Sequence, residues 1–122
     1  MDGIRPGAIV IDVNDLEKQA RFWVGLLWGG LLEMKVANKE ADWFDLGRLG
    51  EGGPVLSLQL VPEVKTIKNR LHLDWVVDDF DSAARRAQEL GATERSKRHD
   101  TDTPWQVFAD PEGNEFCLCS AG

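Results

Sequence analysis

The chain has 122 residues, with 21 acidic against 14 basic side chains and a formal net charge of −7. This length suits one domain, and the acidic balance opposes binding to a phosphate backbone, so nucleic acid is not an expected partner. No apolar stretch approaches the roughly 20 residues that cross a bilayer, so no membrane association is expected. The N-terminus shows no secretion signal, and the only cysteines, Cys117 and Cys119, are spaced too tightly for an easy disulfide. We therefore expect reduced thiols and a cytoplasmic location.

The first half of the chain predicts one strand, one helix and three further strands. Residues 8–14 form a β-branched run closed by polar side chains, which is typical of a strand. A helix is predicted near 15–28, capped by Asn14 or Asp15, because four apolar residues share one helix face: Leu16, Ala20, Trp23 and Leu27. The glycine-rich loop 50–54 separates the last two of three further strands, expected near 30–37, 41–46 and 54–61.

The second half repeats this order. Asp15 aligns with Asp79 at an offset of 64, which places residues 72–78 over the first strand. A second helix is predicted near 79–90, capped by Asp78 or Asp79 and ended by Gly91, with the apolar stripe Phe80, Ala83, Ala84, Ala87 and Leu90. Strands follow near 92–98, 104–109 and 115–120, with a strong turn at 110–114.

Agreement between the halves predicts an α+β fold of two βαβββ modules. We expect the modules to form one curved, mostly antiparallel sheet with the helices on its outer side. Residues 1–122 then make a single domain, with module one at about 6–61, a linker at 62–69 and module two at about 70–120.

Strand alternation predicts which side chains point away from the helices. The apolar sets should pack under the helices: Ile9, Ile11, Val13, Leu56, Leu58, Leu60, Leu71, Leu73, Trp75, Val77, Phe116 and Leu118. A polar set is left on the concave side, where a ligand would bind: Asp12, Ser57, Gln59, His72, Asp74, Cys117 and Cys119. Trp43 and Trp105 occupy matching places in the two halves and are candidates for stacking on a planar ligand.

Two segments carry a family resemblance. The strand-to-helix segment is His72-Leu73-Asp74-Trp75-Val76-Val77-Asp78-Asp79, and the closing turn and strand are Asp110-Pro111-Glu112-Gly113-Asn114-Glu115-Phe116. Together they resemble the glyoxalase/bleomycin-resistance/extradiol-dioxygenase superfamily, also known as the vicinal oxygen chelate superfamily. Residues 61–72 are similar to its actinobacterial glyoxalase-like subgroup. The resemblance covers nearly the whole chain and implies a homodimer.

The resemblance also implies where a metal would be held. Metalloenzymes of this superfamily place ligands at the start of each module's first strand and within its last strand, which correspond here to Ala8, Ser57, His72 and Cys117. Only His72 is a usual ligand for the divalent metals concerned, and Cys117 stands where glutamate is usual. Because a catalytic zinc site needs about three protein ligands, we expect no metal at these positions and no other cofactor.

Each candidate residue has a second interpretation. His72 and Asp74 form either an acid–base pair or a hydrogen-bonded remnant of a metal site. Asp12 and Asp74 either recognise a cationic ligand or are solvated carboxylates. Trp43 and Trp105 stack on a ligand or fill the core or a dimer interface. Cys117 is a nucleophile or a small buried residue.

Three functions remain at this point. The first is a small-molecule-binding protein without the usual metal site, which sequesters its ligand as bleomycin-resistance proteins do. The second is an enzyme of the same superfamily, either a lyase or isomerase using His72 and Asp74 or a metal enzyme with an atypical site. The third is an interaction module with a vestigial cavity. The ligand-binding residues predicted for the first function are Asp12, Trp43, Ser57, Gln59, His72, Asp74, Trp105 and Cys117.

Overall fold

A computed structural model describes residues 2–29 and 38–121. Contacts divide the chain into two compact units, Met1–Val64 and Lys65–Gly122. The boundary falls inside the linker predicted at 62–69. Among residues 2–29 and 38–121, no helix has the length and apolarity needed to cross a membrane.

Each unit contains a strand, a helix and three further strands. The first unit consists of β1 Ala8–Val13, α1 Leu16–Trp28, β2 Asn38–Lys39, β3 Trp43–Arg48 and β4 Val55–Leu60. The second consists of β5 Asp74–Val77, α2 Phe80–Glu89, β6 Thr93–Glu94, β7 Trp105–Ala109 and β8 Glu115–Ser120. The predicted α+β fold of two βαβββ modules is confirmed, while the strand expected near 30–37 lies outside the described residues.

The two sheets have the same topology. The strand orders are β1-β4-β3-β2 and β5-β8-β7-β6. In each sheet the module's first strand pairs in parallel with its last strand, and the other pairs are antiparallel. The repeat seen in the sequence is therefore a repeat of strand pairing.

Aspartate caps both helices. The Asp15 carboxylate accepts a hydrogen bond from the backbone N–H of Lys18 at 3.0 Å, and the Asp79 carboxylate accepts one from Ser82 at 3.1 Å. Each bond satisfies one of the amide donors that the first helical turn leaves without a partner. The two alternatives left open by the sequence are thus resolved as Asp15 and Asp79.

The turn between β7 and β8 is fixed by one buried side chain. Asp110, 2% exposed, accepts hydrogen bonds on Oδ1 from the backbone N–H groups of Glu112 and Asn114, at 2.9 and 3.0 Å. Gly113 adopts φ +92°, a left-handed conformation that side chains disfavour. This turn sets the register of β8 against β7.

The helices cover the apolar faces of the sheets. α1 packs against β3 and β4, and α2 packs against β8. The predicted inward residues Val13, Leu56 and Leu58 are at most 1% exposed, as are Phe116 and Leu118 in the second sheet. α1 buries a wider face than the predicted stripe, because Gln19, Phe22 and Val24 are also buried.

Two inward assignments are wrong. Leu60 is 42% exposed at the last position of β4, and Leu71 is 73% exposed three residues before β5 begins at Asp74. Alternation predicts a buried face only where a paired strand runs under a helix. Leu60 is the last residue of its strand and Leu71 precedes its strand, so neither side chain is covered by a helix. Leu73 and Trp75 are half-buried.

Leu58→Ala should lower the free energy of unfolding by about 2–5 kcal/mol, because it removes a fully buried side chain under α1. The matched control is Leu60→Ala, two residues further along the same strand, which should cost less than about 1 kcal/mol because its side chain already meets solvent. Denaturant unfolding of the three proteins measures both values. Equal losses would mean that the face assignment of β4 is wrong.

Candidate functional site

The face of each sheet that points away from its helix is called the far face below. In the first sheet it carries Asp12, Trp43, Asp45, Ser57 and Gln59, and in the second Asp74, Val76, Trp105, Cys117 and Cys119. Seven of the eight predicted ligand-binding residues belong to these sets. The eighth, His72, lies two residues before β5.

Three predicted residues form a row across the first sheet. Gln59 in β4 is the register partner of Asp12 in β1 and also of Trp43 in β3. Asp12 and Gln59 are exposed, and Trp43 is half-buried. A carboxylate, an amide and an indole thus lie side by side, which together offer charge, hydrogen bonding and an aromatic surface to a ligand.

The next row contains a residue that the sequence did not single out. Asp45 lies opposite Ser57, and its Oδ1 accepts hydrogen bonds of 2.7 Å from both Ser57 Oγ and Trp43 Nε1. These bonds, that from Ser57 first, lower the pKa of Asp45 below its ordinary value of 3.8. Asp45 is therefore a carboxylate at neutral pH. Applying alternation to β3 together with β4 would have found it.

The hydrogen bond made by Ser57 determines whether its hydroxyl is available to a metal or a ligand. Ser57 is fully buried and its hydroxyl donates to Asp45. A hydroxyl committed in this way orients a carboxylate and is a poor metal ligand. Ala8, which the family resemblance places at another ligand position, has no ligand atom in its side chain.

The second far face carries a cluster of sulfur and carboxylate. Asp74 is the register partner of Cys117, and Cys119 follows two residues later on the same face. The two Sγ atoms are 3.5 Å apart, and one ligand atom from each of the three side chains lies within 4.8 Å of the others. The sequence placed these side chains on one face but did not show how closely they approach.

Burial keeps Cys117 protonated. Desolvation first, and then the hydrogen bond with Cys119, raise the pKa of Cys117 to about 12. A nucleophilic cysteine needs a lowered pKa, so the structure favours a neutral, buried thiol at this position.

His72 contacts Asp74. His72 Nε2 lies 3.2 Å from Asp74 Oδ1, and the two side chains are 49% and 60% exposed. The pair expected from the sequence is thus within hydrogen-bonding distance.

Asp12 occupies a position in its module that is not equivalent to that of Asp74, because an offset of 64 places Asp74 over Val10.

Trp105 already has an aromatic neighbour. The ring of His99 stacks on it with centroids 3.7 Å apart and an angle of 7° between planes. One face of the indole is therefore covered, and a planar ligand could stack only on the other. Trp105 remains 37% exposed.

A groove of about 580 Å³ lies elsewhere in the second unit, between the linker and the β7–β8 turn. None of the eight predicted residues lines it. Lys65 and Lys68 border the groove, each with Nζ 3.8 Å from a carboxylate oxygen of Glu115, and Asn69 N–H donates to the same carboxylate at 2.9 Å. The hydrogen bond from Asn69 is the largest cause that lowers the pKa of Glu115, and the charges of the two lysines lower it further. The basic residues of the linker thus hold it against β8.

Ser57→Ala should lower stability at neutral pH by about 1–2 kcal/mol, because it removes a hydrogen bond to an ionised carboxylate. Since the folded-state pKa of Asp45 is depressed, this contribution is present above 3.8 and is lost as the pH falls through the folded-state pKa. Denaturant unfolding of wild type and Ser57→Ala across that range should show the difference narrowing in acid. The control Ser82→Ala, at an exposed helix position, should show no such change. A pH-independent difference for Ser57→Ala would contradict the assigned role of Asp45.

Comparison with solved structures agrees with the fold described above. The fold matches a glyoxalase/bleomycin resistance protein from Albidiferax ferrireducens (TM-score 0.69, 20% identity, 95% of this chain and 98% of that one). It also matches a glyoxalase-related enzyme from Fulvimarina pelagi (TM-score 0.73, 18% identity, 95% and 87%). A third match is the fosfomycin resistance protein FosX from Mesorhizobium loti (TM-score 0.68, 18% identity, 100% and 94%).

These identities are low, so the three likenesses establish the fold alone. The sequence has no significant match among curated proteins. The sequence model of the glyoxalase-like domain, however, matches residues 8–119, from the start of β1 almost to the end of β8. The chain therefore belongs to the glyoxalase-like domain family.

Proposed function

We propose that this protein binds a small organic molecule through the predicted far-face residues, without the usual four-position metal site of the superfamily's metalloenzymes. The observation that carries the proposal is the hydrogen bond from the buried Ser57 hydroxyl to Asp45. Because the Ser57 hydroxyl donates to Asp45, the polar group at this implied ligand position holds a far-face carboxylate in place and does not bind a metal. We place the chain in the actinobacterial glyoxalase-like subgroup on the strength of residues 61–72.

The other inherited positions support the same conclusion. Ala8 offers no ligand atom, and Cys117 is a buried neutral thiol. Of the four positions, only His72 carries a usual ligand for the divalent metals concerned, and it is paired with Asp74. One imidazole is fewer than the roughly three protein ligands that a catalytic zinc site requires.

The row Asp12–Gln59–Trp43 indicates the class of ligand. A carboxylate and an amide favour a ligand that donates hydrogen bonds, and the half-buried indole favours a planar or apolar portion. The net charge of −7 disfavours anions. We therefore propose that the ligand is a neutral or cationic planar molecule. The protein would bind and sequester it without changing it, as bleomycin-resistance proteins do.

A homodimer is part of the proposal. Val76 is 70% exposed and Trp105 is 37% exposed on the far face of the second sheet. Large apolar groups of this kind in a ligand-binding protein favour coverage by a ligand or a second chain. Analytical ultracentrifugation with and without ligand would measure the oligomeric state.

A lyase or isomerase activity is the second candidate. The observation in its favour is the His72–Asp74 contact of 3.2 Å, in which the carboxylate orients the imidazole. An activity that disappears in His72→Ala while ligand affinity persists would favour catalysis over sequestration.

The proposal is tested by thermal-shift screening of chelator-treated protein against neutral, cationic and anionic planar compounds. A ligand at 100 times its dissociation constant should add about 2.7 kcal/mol of stability. For a hit, Gln59→Ala should weaken binding about tenfold, the loss of one hydrogen bond, with an unchanged melting temperature in the absence of ligand. The matched control is Gln88→Ala on the exposed surface of α2, which should bind as wild type does.

Two results would contradict the proposal. Binding that requires added divalent metal and disappears in His72→Ala would restore the inherited metal site. Equal effects of Gln59→Ala and Gln88→Ala would place the ligand away from the first far face.

A further inference from the structure

We propose that the second module holds a thiophilic metal ion on its far face, ligated by Asp74, Cys117 and Cys119. The proposal goes beyond the organic ligand and does not depend on it. It shares Cys117 with the positions that the family resemblance implies for a metal. Its other two ligands, Asp74 and Cys119, are not among those positions, and all three lie on two adjacent strands of one module.

The spacing of the two sulfurs is the first observation. Sγ of Cys117 and Sγ of Cys119 are 3.5 Å apart. A tetrahedral zinc ion with bonds of about 2.3 Å to sulfur holds two thiolates about 3.8 Å apart. A small side-chain rotation is enough to reach that distance.

The carboxylate is the second observation. Asp74 is the direct register partner of Cys117, and its ligand oxygen lies within 4.8 Å of both sulfurs. Its side chain is 60% exposed and so retains the freedom to turn toward an ion. Solvent on that side leaves room for a fourth ligand, which makes the site an open one.

His72 completes the surroundings without being a required ligand. Its Nε2 is 3.2 Å from Asp74 Oδ1, the arrangement in which an imidazole orients a ligating carboxylate. Removing such an outer partner weakens metal binding but leaves the metal–sulfur bonds intact.

A disulfide does not explain the pair of cysteines. Two residues apart on one strand, their Cβ atoms are separated by about two strand rises, roughly 6.6 Å. A disulfide requires Cβ atoms about 3.5–4.5 Å apart. β8 would have to leave its pairing with β5 and β7 to form the bond, so the two thiols are arranged for a shared ion rather than for oxidation.

Binding must release protons. Each thiol that ligates the ion loses its proton to solvent, so two protons leave as two metal–sulfur bonds form. Burial opposes that loss for Cys117, and affinity should therefore rise with pH. Soft ligands of this kind select zinc, cadmium or copper(I) over magnesium and calcium.

The experiment is a cadmium titration of reduced, chelator-treated full-length protein, followed by ultraviolet thiolate-to-metal charge transfer and by calorimetry. We expect one ion per chain, an absorption change corresponding to two thiolates, and no response to magnesium. Cys119→Ser should halve the charge-transfer amplitude and weaken binding beyond the ~10–100-fold typical of losing an outer partner.

The remaining variants separate this site from its alternatives. Asp74→Asn should weaken binding, while the matched control Asp78→Asn, just beyond β5, should not. His72→Ala should keep the full amplitude and weaken binding no more than ~10–100-fold.

Three results would overturn the proposal: no charge-transfer band, one ion for every two chains, or a band that is lost in His72→Ala and unaffected by Cys119→Ser. The last would indicate the inherited positions instead and would also contradict the proposed function. The first two leave that function intact, so the two failures can be told apart.

Discussion

Both modules depend on the parallel pairing of their first and last strands. β1 pairs with β4 and β5 with β8, although α1 or α2 and two shorter strands intervene in the chain. Such a pairing closes a long loop, whose entropic cost must be met by burying the apolar side of both strands under the helix. Leu58 and Leu118, at the centres of β4 and β8, are buried on the helix side of their sheets. Their neighbours in sequence point to the far face.

The same pairing determines the chemistry of the far faces. Alternation turns every second residue of the central strands away from the helix, and the parallel register then sets each beside one residue of the first strand. This is how Asp12 comes beside Gln59 and Asp74 beside Cys117, residues more than forty positions apart in each case. The far-face groups are therefore a by-product of closing the module.

The modules share a frame but differ in the groups they present. Trp43 and Trp105 both pair with the strand position two residues after Ser57 and Cys117, respectively. Next to them, however, Asp45 faces Ser57 in the first sheet and Val107 faces Cys117 in the second. One sheet consequently holds a charged hydrogen-bonded network and the other a sulfur cluster. The two modules thus share a backbone register but carry different side chains on it.

The limits of sequence reasoning follow from the same geometry. Local signals predicted the helices, caps and closing turn, because Asp15, Asp79 and Asp110 act through neighbours two to four residues away. Periodicity predicted the wrong burial at the strand ends, because nothing in the sequence marks where β4 leaves the cover of the helix and Leu60 becomes exposed. It also missed Asp45, whose role depends on a cross-strand partner, and the bulge between Asp45 and Gly47 that follows it.

The presence of a thiol at Cys117 has a consequence for folding itself. At this position the superfamily's metalloenzymes usually have glutamate, and a carboxylate buried as Cys117 is, 4% exposed, would need a cation or several donors to offset its desolvation. A thiol remains neutral there and needs neither. In the first module a neutral hydroxyl at Ser57 serves the same purpose, while the charge resides on Asp45, which has two donors. Neither position therefore carries a buried charge that an ion would have to offset.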